Sequence, residues 1–339
     1  MALVQGEFYS EALGMDTQIT ALIPEPSAAC TAAAGGRNFP TLYILHGATG
    51  THMDTVLQTE LVQLVHIHFP NLAVVMPSGN FSFWTDYQEE YKYGHQYMTY
   101  VSKELVSISR SLFPLSGQRE DTAIYGLSMG GFGALASGLN HPETFGHVGS
   151  QSGMVDIGWA IQTRPFMNLK HRRMFGTAAD ITDTCYDFYD VTRRLSASAD
   201  KKPRIFQSWG EDDYLIEINE AYHRHLAALN QMCIRDSHQG NRGHGHDKAL
   251  EYGYDTGPFG SAEDCIDDQY DPEQHKADFV AHAGHGCHQL CAGCHLHVQH
   301  KAGEHHNGEG GIPCNKTSAA YSTWLYWLSI ELGRWCRCS

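Results

Sequence analysis

The chain has 339 residues, with Asp+Glu 38 against Lys+Arg 23, a formal net charge of -15 and 42% hydrophobic residues. That length suits one large domain or two ordinary ones with a packed core, and it excludes a disordered polymer. The acidic balance argues against nucleic-acid or membrane-surface partners, no run of about 18 apolar residues is present to span a bilayer, and the N-terminus lacks a secretory pattern, so a cytoplasmic location is expected.

Polar and apolar residues alternate over 5–9 and 16–23, which predicts antiparallel edge strands. Short continuous apolar runs follow at 41–45, 72–77, 122–125 and 204–209, each the pattern of a strand buried on both faces. Helical spacing is read between them at about 53–67, 95–112, 130–140 and 217–229. This alternation predicts an α/β fold with a mostly parallel sheet and helices on both faces. Ligands bind such sheets beyond the carboxyl ends of the strands, so the loops after Leu45, Met76, Tyr125 and Trp209 are the expected site of chemistry.

The chain changes character near Met232. Of its ten Cys only Cys30 and Cys185 precede that point, and twelve of its 22 His follow it. Periodicity fades there into His-, Gly- and Cys-rich sequence. Residues 232–237, Met-Cys-Ile-Arg-Asp-Ser, resemble a translated sequencing adapter. Two readings of 232–339 compete: a small metal or disulfide module, or residues foreign to the original gene. The expected domains are therefore 1–231, with a small cap at about 153–185, and an atypical tail at 232–339.

The strongest motif is Gly126-Leu127-Ser128-Met129-Gly130, which follows a predicted strand and opens a predicted helix. This is the G-x-S-x-G turn in its meaningful context. A sharp strand-to-helix turn exposes the Ser128 hydroxyl, and the helix N-terminus presents the Met129 amide to a developing oxyanion. A serine hydroxyl needs a histidine base oriented by a carboxylate, and in this arrangement the chain order is Ser, acid, His. Glu211-Asp212-Asp213 follows the strand ending at Trp209 and supplies the acid candidates.

Several segments then occur in order: Ser82-Phe83-Trp84-Thr85-Asp86, the run from Tyr93 to Pro114, Arg119-Glu120-Asp121, and Gly126 through Leu135. Together they resemble the esterase family that contains tributyrin esterases and S-formylglutathione hydrolases, over roughly residues 1–231. The resemblance implies an α/β-hydrolase fold and hydrolysis of short-chain acyl esters, without a cofactor or metal. It puts the second oxyanion donor on the residue after His46-Gly47, namely Ala48, and leaves His46 as a structural loop residue. It also selects Asp213, which directly precedes Tyr214-Leu215, with Asp212 second. Thioester hydrolysis of S-formylglutathione, or acyl transfer to another alcohol, is the alternative within the same chemistry.

The base falls in the altered region. His244 follows a glycine as the family motif wants, and His246 is the other choice. The strand that should precede it is expected to be lost, replaced by residues 233–238, which would expose the sheet edge and lower solubility. From another class comes a dead hydrolase core with a metal-binding tail. Cys291-Ala292-Gly293-Cys294-His295 matches a c-type haem attachment pattern, and Cys287, Cys291 and Cys294 with a histidine suit zinc. Trp84 and Trp159 are the expected substrate-binding aromatics, the partner being a small-molecule ester; nothing in the sequence fixes an oligomeric state.

Overall fold

A computed structural model describes residues 1–25, 38–88, 93–163, 170–198, 201–210, 212–229 and 232–238. Eight strands form one sheet: β1 Ala2–Ser10, β2 Met15–Ile23, β3 Thr41–Leu45, β4 Ala73–Pro77, β5 Thr122–Leu127, β6 His147–Gln151, β7 Arg204–Gly210 and β8 Met232–His238. Their order is β1-β2-β4-β3-β5-β6-β7-β8. The β1–β2 hairpin turns through Gly14, whose φ of 61° suits a residue without a β-carbon. It runs antiparallel to β4, and every pairing from β4 onward is parallel. All carboxyl ends of those six strands therefore open on one rim.

The sheet has a core on each face. On one side Leu22, Leu42, Ile44, Val74, Met76, Tyr125 and Phe206 pack under helix α1, Asp54–Gln58, and helix α2, Leu61–His68. The predicted helix at 53–67 is broken because Thr59 is extended, with its hydroxyl accepting the Leu61 N–H at 3.2 Å. On the other side lie α3, which runs from Tyr97 through a π-helical stretch Tyr100–Leu105 to Leu112, and α4, Met129–Asn140. They share that larger core with α7, Phe188–Ala197, and α8, Ile216–Ala228. Between β6 and α7, where a cap is expected, lie helix α5, Ile157–Thr163, helix α6, Lys170–Phe175, and the turn Ala178–Ile181.

Two strands lay outside the sequence reading. β6, His-Val-Gly-Ser-Gln, has no apolar run, yet all five residues are buried. Close packing explains it: a β-carbon on Gly138 of α4 would stand 2.2 Å from Val148 Cγ2, and one on Gly131 would stand 2.8 Å from Ser150 Oγ. Glycines on α4 let the helix sit directly on Val148 and Ser150, and with Gly149, Ser150 and Gln151 in it the strand carries no apolar run. β8 is the larger correction. Residues 232–238 are not a lost strand; they pair in parallel with β7 from Ile205 to Gly210, with a register irregularity at Ile205/Phe206. The edge of β7 is covered, which removes the reason given for poor solubility.

Candidate active site

Ser128 joins β5 to α4 with φ 57° and ψ -113°, a conformation that L-residues occupy only under constraint from their surroundings. The constraint comes from three sides. Its N–H donates to Gln151 O at 2.8 Å, and its carbonyl accepts Phe132 N–H at 3.1 Å. A β-carbon on Gly126 would lie 2.2 Å from the Gly130 carbonyl, and one on Gly130 would lie 2.0 Å from Leu45 O. The turn can thus be this tight only with glycine on both sides, which is the physical content of the motif.

The loop after β3 runs alongside. A β-carbon on Gly47 would meet Leu127 O at 3.4 Å and Ser128 Cβ at 3.8 Å, so this backbone lies against the turn. Gly50 N–H closes the loop onto Gly47 O at 3.1 Å, and Thr49 takes φ 64°. Ala48 is exposed at its tip, and Met129 is the first residue of α4. No acceptor among the described residues takes either amide N–H, as expected of the opening turn of a helix for Met129.

His46 fixes this loop. Its side chain is buried, 4% exposed; Gly79 N–H donates to Nε2 at 2.9 Å and Nδ1 lies 2.8 Å from Gly47 O. Since Nε2 accepts, the proton sits on Nδ1 and donates to Gly47 O. Burial holds the imidazole below its ordinary value, despite the Gly47 carbonyl and Asp54 acting the other way.

Trp84 is placed differently from expectation. It is fully enclosed, its ring edge against Gly79, its Cβ against Gly133, and its Nε1–H donating to His46 O at 3.2 Å. It braces the loop from beneath and presents no surface to a ligand. Asp86, of the same sequence segment, caps α3 by accepting Thr99 N–H at 3.0 Å, while its backbone is clasped by the Tyr186 hydroxyl. Trp159 is half-buried on α5, its N–H held by Asp156 Oδ1 at 2.8 Å. Phe132, on the helix of the turn, packs its ring 5.5 Å from Phe175 of α6 and 4.8 Å from Phe188 of α7.

Asp213 lies in the loop beyond β7, two strands from Ser128 on the same rim. Its Oδ1 accepts Leu215 N–H at 2.9 Å, and its backbone closes on Gly210 O at 3.2 Å. Asp213 is half-buried while Asp212 is exposed. β8 ends at His238, directly opposite Gly210, so the chain leaves the sheet beside this acidic loop. His244 and His246 lie outside the described residues, as do Cys287, Cys291 and Cys294.

Two contributors escaped the sequence reading. Ser152, at the end of β6, takes φ 46° and donates its N–H to Ser208 O at 2.7 Å. Asn219, fully buried on α8, donates to Gly153 O at 2.9 Å and ties the loop after β6 to the helix after the acidic loop. Its signal was legible: a lone amide on the apolar stripe formed by Leu215, Ile218, Tyr222 and Leu226.

The family model described as "Putative esterase" matches residues 10–255. An acetyl esterase from Caldicellulosiruptor saccharolyticus is 33% identical over 227 residues, which is 65% of this chain and 84% of the relative. The chain belongs to this esterase family. It is a carboxylic ester hydrolase. Among solved structures, the esterase fold is similar to the fluorophosphonate-binding serine hydrolase FphF of Staphylococcus aureus, with TM-score 0.61 and 23% identity over 70% of this chain and 90% of that one. The S-formylglutathione hydrolase FrmB of the same organism follows at TM-score 0.59, also 23% identical over 70% and 90%. The family match runs through β8 and beyond it, and so spans a segment that composition alone had set apart from the esterase. Among the described residues of the esterase, no helix is long and apolar enough to cross a membrane, and no cluster of three metal-ligating side chains occurs.

Proposed function

We propose that the enzyme hydrolyses short-chain acyl esters through an acyl-enzyme on Ser128, with Asp213 and His244 completing the triad. One observation carries this reading. Ser128 is held at φ 57° and ψ -113° on a turn sealed by two glycines, against the Gly47 loop. Backbone strain of this kind costs about 1–3 kcal/mol and persists where the fold over-determines it, typically at reactive positions.

In this reading Ser128 Oγ attacks the ester carbonyl carbon as His244 takes its proton, and Asp213 holds the imidazole and steadies the imidazolium. The carbonyl π pair moves onto oxygen, where the Ala48 and Met129 amides receive the charge. Collapse breaks the C–O bond, and the alcohol departs with the proton from His244. Water, deprotonated by the same histidine, then attacks the acyl carbon and releases the acid and free Ser128. The chemistry calls for no metal or cofactor. The family match through residue 255 supports a base after β8. His246 is the second candidate, and Asp212 the second acid.

The acyl group is small in this reading. An acetyl esterase stands among the relatives, and Phe175 and Phe188 pack around Phe132 on the helix of the nucleophile. The substrate is a cytoplasmic small-molecule ester.

The test is hydrolysis of p-nitrophenyl acetate and butyrate by the full chain, beside Ser128→Ala, His244→Ala and His246→Ala, with fluorophosphonate labelling in parallel. Turnover and labelling lost in Ser128→Ala, and turnover lost in His244→Ala but not in His246→Ala, are expected. An arm with S-formylglutathione separates ester from thioester preference. Soluble wild-type protein that neither turns over nor labels would overturn the reading and favour a catalytically dead core.

A further inference from the structure

Among the described residues, β1 is the outermost strand and pairs on one side only. It is nine residues long and pairs with β2 along its whole length without a bulge. Natural edges are blunted by lysine, proline, bulges or brevity, because an open ladder recruits another strand. β1 has none of these devices. Its one charged side chain is Glu7, in a chain with 38 acidic and 23 basic residues. Leu3, Val4 and Tyr9 are 48%, 36% and 54% exposed on it. Depletion of charge with exposed apolar and aromatic side chains is the composition of an interface.

We propose that β1 pairs antiparallel with β1 of a second copy of this chain about a two-fold axis through Gly6, joining the two sheets into one. A two-fold that makes neighbouring strands antiparallel stands normal to the sheet, so each face meets its own kind and only residues of the same parity pair. That restricts the axis to a residue position. Centred on Glu7, it sets two carboxylates face to face. Centred on Gln5, it sets Glu7 against Leu3 and leaves Tyr9 without a partner. Centred on Gly6, it uses all nine residues: Leu3 faces Tyr9, Val4 faces Phe8, and the Gln5 amide faces the Glu7 carboxylate, once on each side of the axis. Directly opposed side chains in such a ladder lie about 4.5–5.5 Å apart, and apolar–aromatic pairs there are favourable.

The neighbourhood fits. Gly6 brings no side chain to the axis, and an added β-carbon there would first meet Ile19 Cγ1 at 3.7 Å. A surface groove of about 370 Å³ lies over the hairpin, lined by Gln5, Gly6, Glu7, Gln18, His52 and Met53. Pairing through Gly6 places two such grooves side by side, each with its own Gln18 Nε2 donating to Glu7 Oε2 at 3.2 Å and steadying the carboxylate that the second copy meets.

Sedimentation velocity of the full chain under reducing conditions tests this, for the wild type, Gln5→Glu and the double variant Gln5→Glu with Glu7→Gln. The wild type is expected to be a dimer. Gln5→Glu sets two like-charge pairs across the axis and weakens the dimer by about tenfold or more, and the double variant restores it by exchanging amide and carboxylate. Ester turnover stays unchanged in all three and each variant keeps a cooperative melt, which separates loss of pairing from loss of fold. A monomeric wild type, including one whose edge is covered by another part of the chain, would overturn the proposal, and so would a dimer indifferent to Gln5→Glu.

Discussion

His46 Nε2 accepts the backbone N–H of Gly79 at 2.9 Å, and with the bond from Trp84 Nε1 to His46 O it ties the loop after β3 to the loop after β4. The imidazole must stay neutral to accept it. His46→Ala removes both this bond and the one from Nδ1 to Gly47 O, and frees the Gly47–Ala48 backbone. Loss of one oxyanion donor costs about 10²–10³ in rate, so a loosened loop should lower kcat by about tenfold to a hundredfold with a smaller change in KM. Steady-state kinetics on soluble, folded variant would show it; a proportional rise in KM with kcat intact would mean the loop binds substrate without holding the oxyanion.

The two candidate acids separate cleanly. Asp213→Asn should reduce kcat by about 10⁴, the magnitude seen when a triad carboxylate is replaced by its amide, with the Leu215 N–H bond retained by the amide oxygen. Asp212, exposed at the same loop, should tolerate the same change within about twofold. The reverse ranking in p-nitrophenyl acetate turnover would transfer the role to Asp212.

Glycine substitution gives a graded test of packing. Gly130→Ala forces a β-carbon to 2.0 Å from Leu45 O, which backbone on both sides cannot relieve, whereas Gly117 has nothing within 4 Å. Gly130→Ala should therefore cost several kcal/mol, of the order of about 3 or more by analogy with other severe core overpacking, or prevent accumulation of soluble protein. Gly117→Ala should be neutral or stabilising by about 0.5 kcal/mol. Thermal melts of the two variants beside wild type decide it.

Stability should fall on mild acidification. His147 on β6 is held at about 4 by burial, below its ordinary value of 6.5, although its ring nitrogen meets Glu120 O at 3.0 Å. Burial lowers His46, His52, His68 and His225 in the same direction. A depressed native value means the unfolded chain binds the proton first. The His147 contribution is therefore complete above 6.5 and is lost progressively as pH falls toward 4, at up to about 1.4 kcal/mol per pH unit. Urea unfolding at pH 7.5, 5.5 and 4.5 should trace that slope, and His147→Gln should flatten it. An equal slope in the variant would assign the effect to the other histidines.

Most of the sheet was legible because its apolar strands and intervening helices carry opposite periodicities. β3, β4, β5 and β7 fell where apolar runs predicted them, and the turn at Ser128 was readable from its glycines alone. What escaped did so for physical reasons. β6 is buried but carries Val148 as its one aliphatic side chain; Ser150 lies under Gly131 of α4, and Gln151 accepts the Tyr125 hydroxyl on the other face. β8 was discounted for its composition, while backbone pairing with β7 needs no particular side chains. Trp84 follows the loop after β4, where a pocket aromatic is expected; Gly79 and Gly133, the latter from α4, make the slot that encloses it instead.

The six residues Thr49, Asn80, Phe83, Trp84, Ser128 and Ser152 all take positive φ, and all follow the carboxyl ends of four adjacent strands. None is glycine. Non-glycine residues so placed cost about 1–3 kcal/mol each where no local compensation exists, against a total stability of about 5–15 kcal/mol for an ordinary domain. The rim is thus a sprung assembly clamped by the two cores beneath it. The expected consequence of warming is loss of turnover while the strands are still paired, read by comparing ester hydrolysis with far-ultraviolet circular dichroism along one temperature ramp.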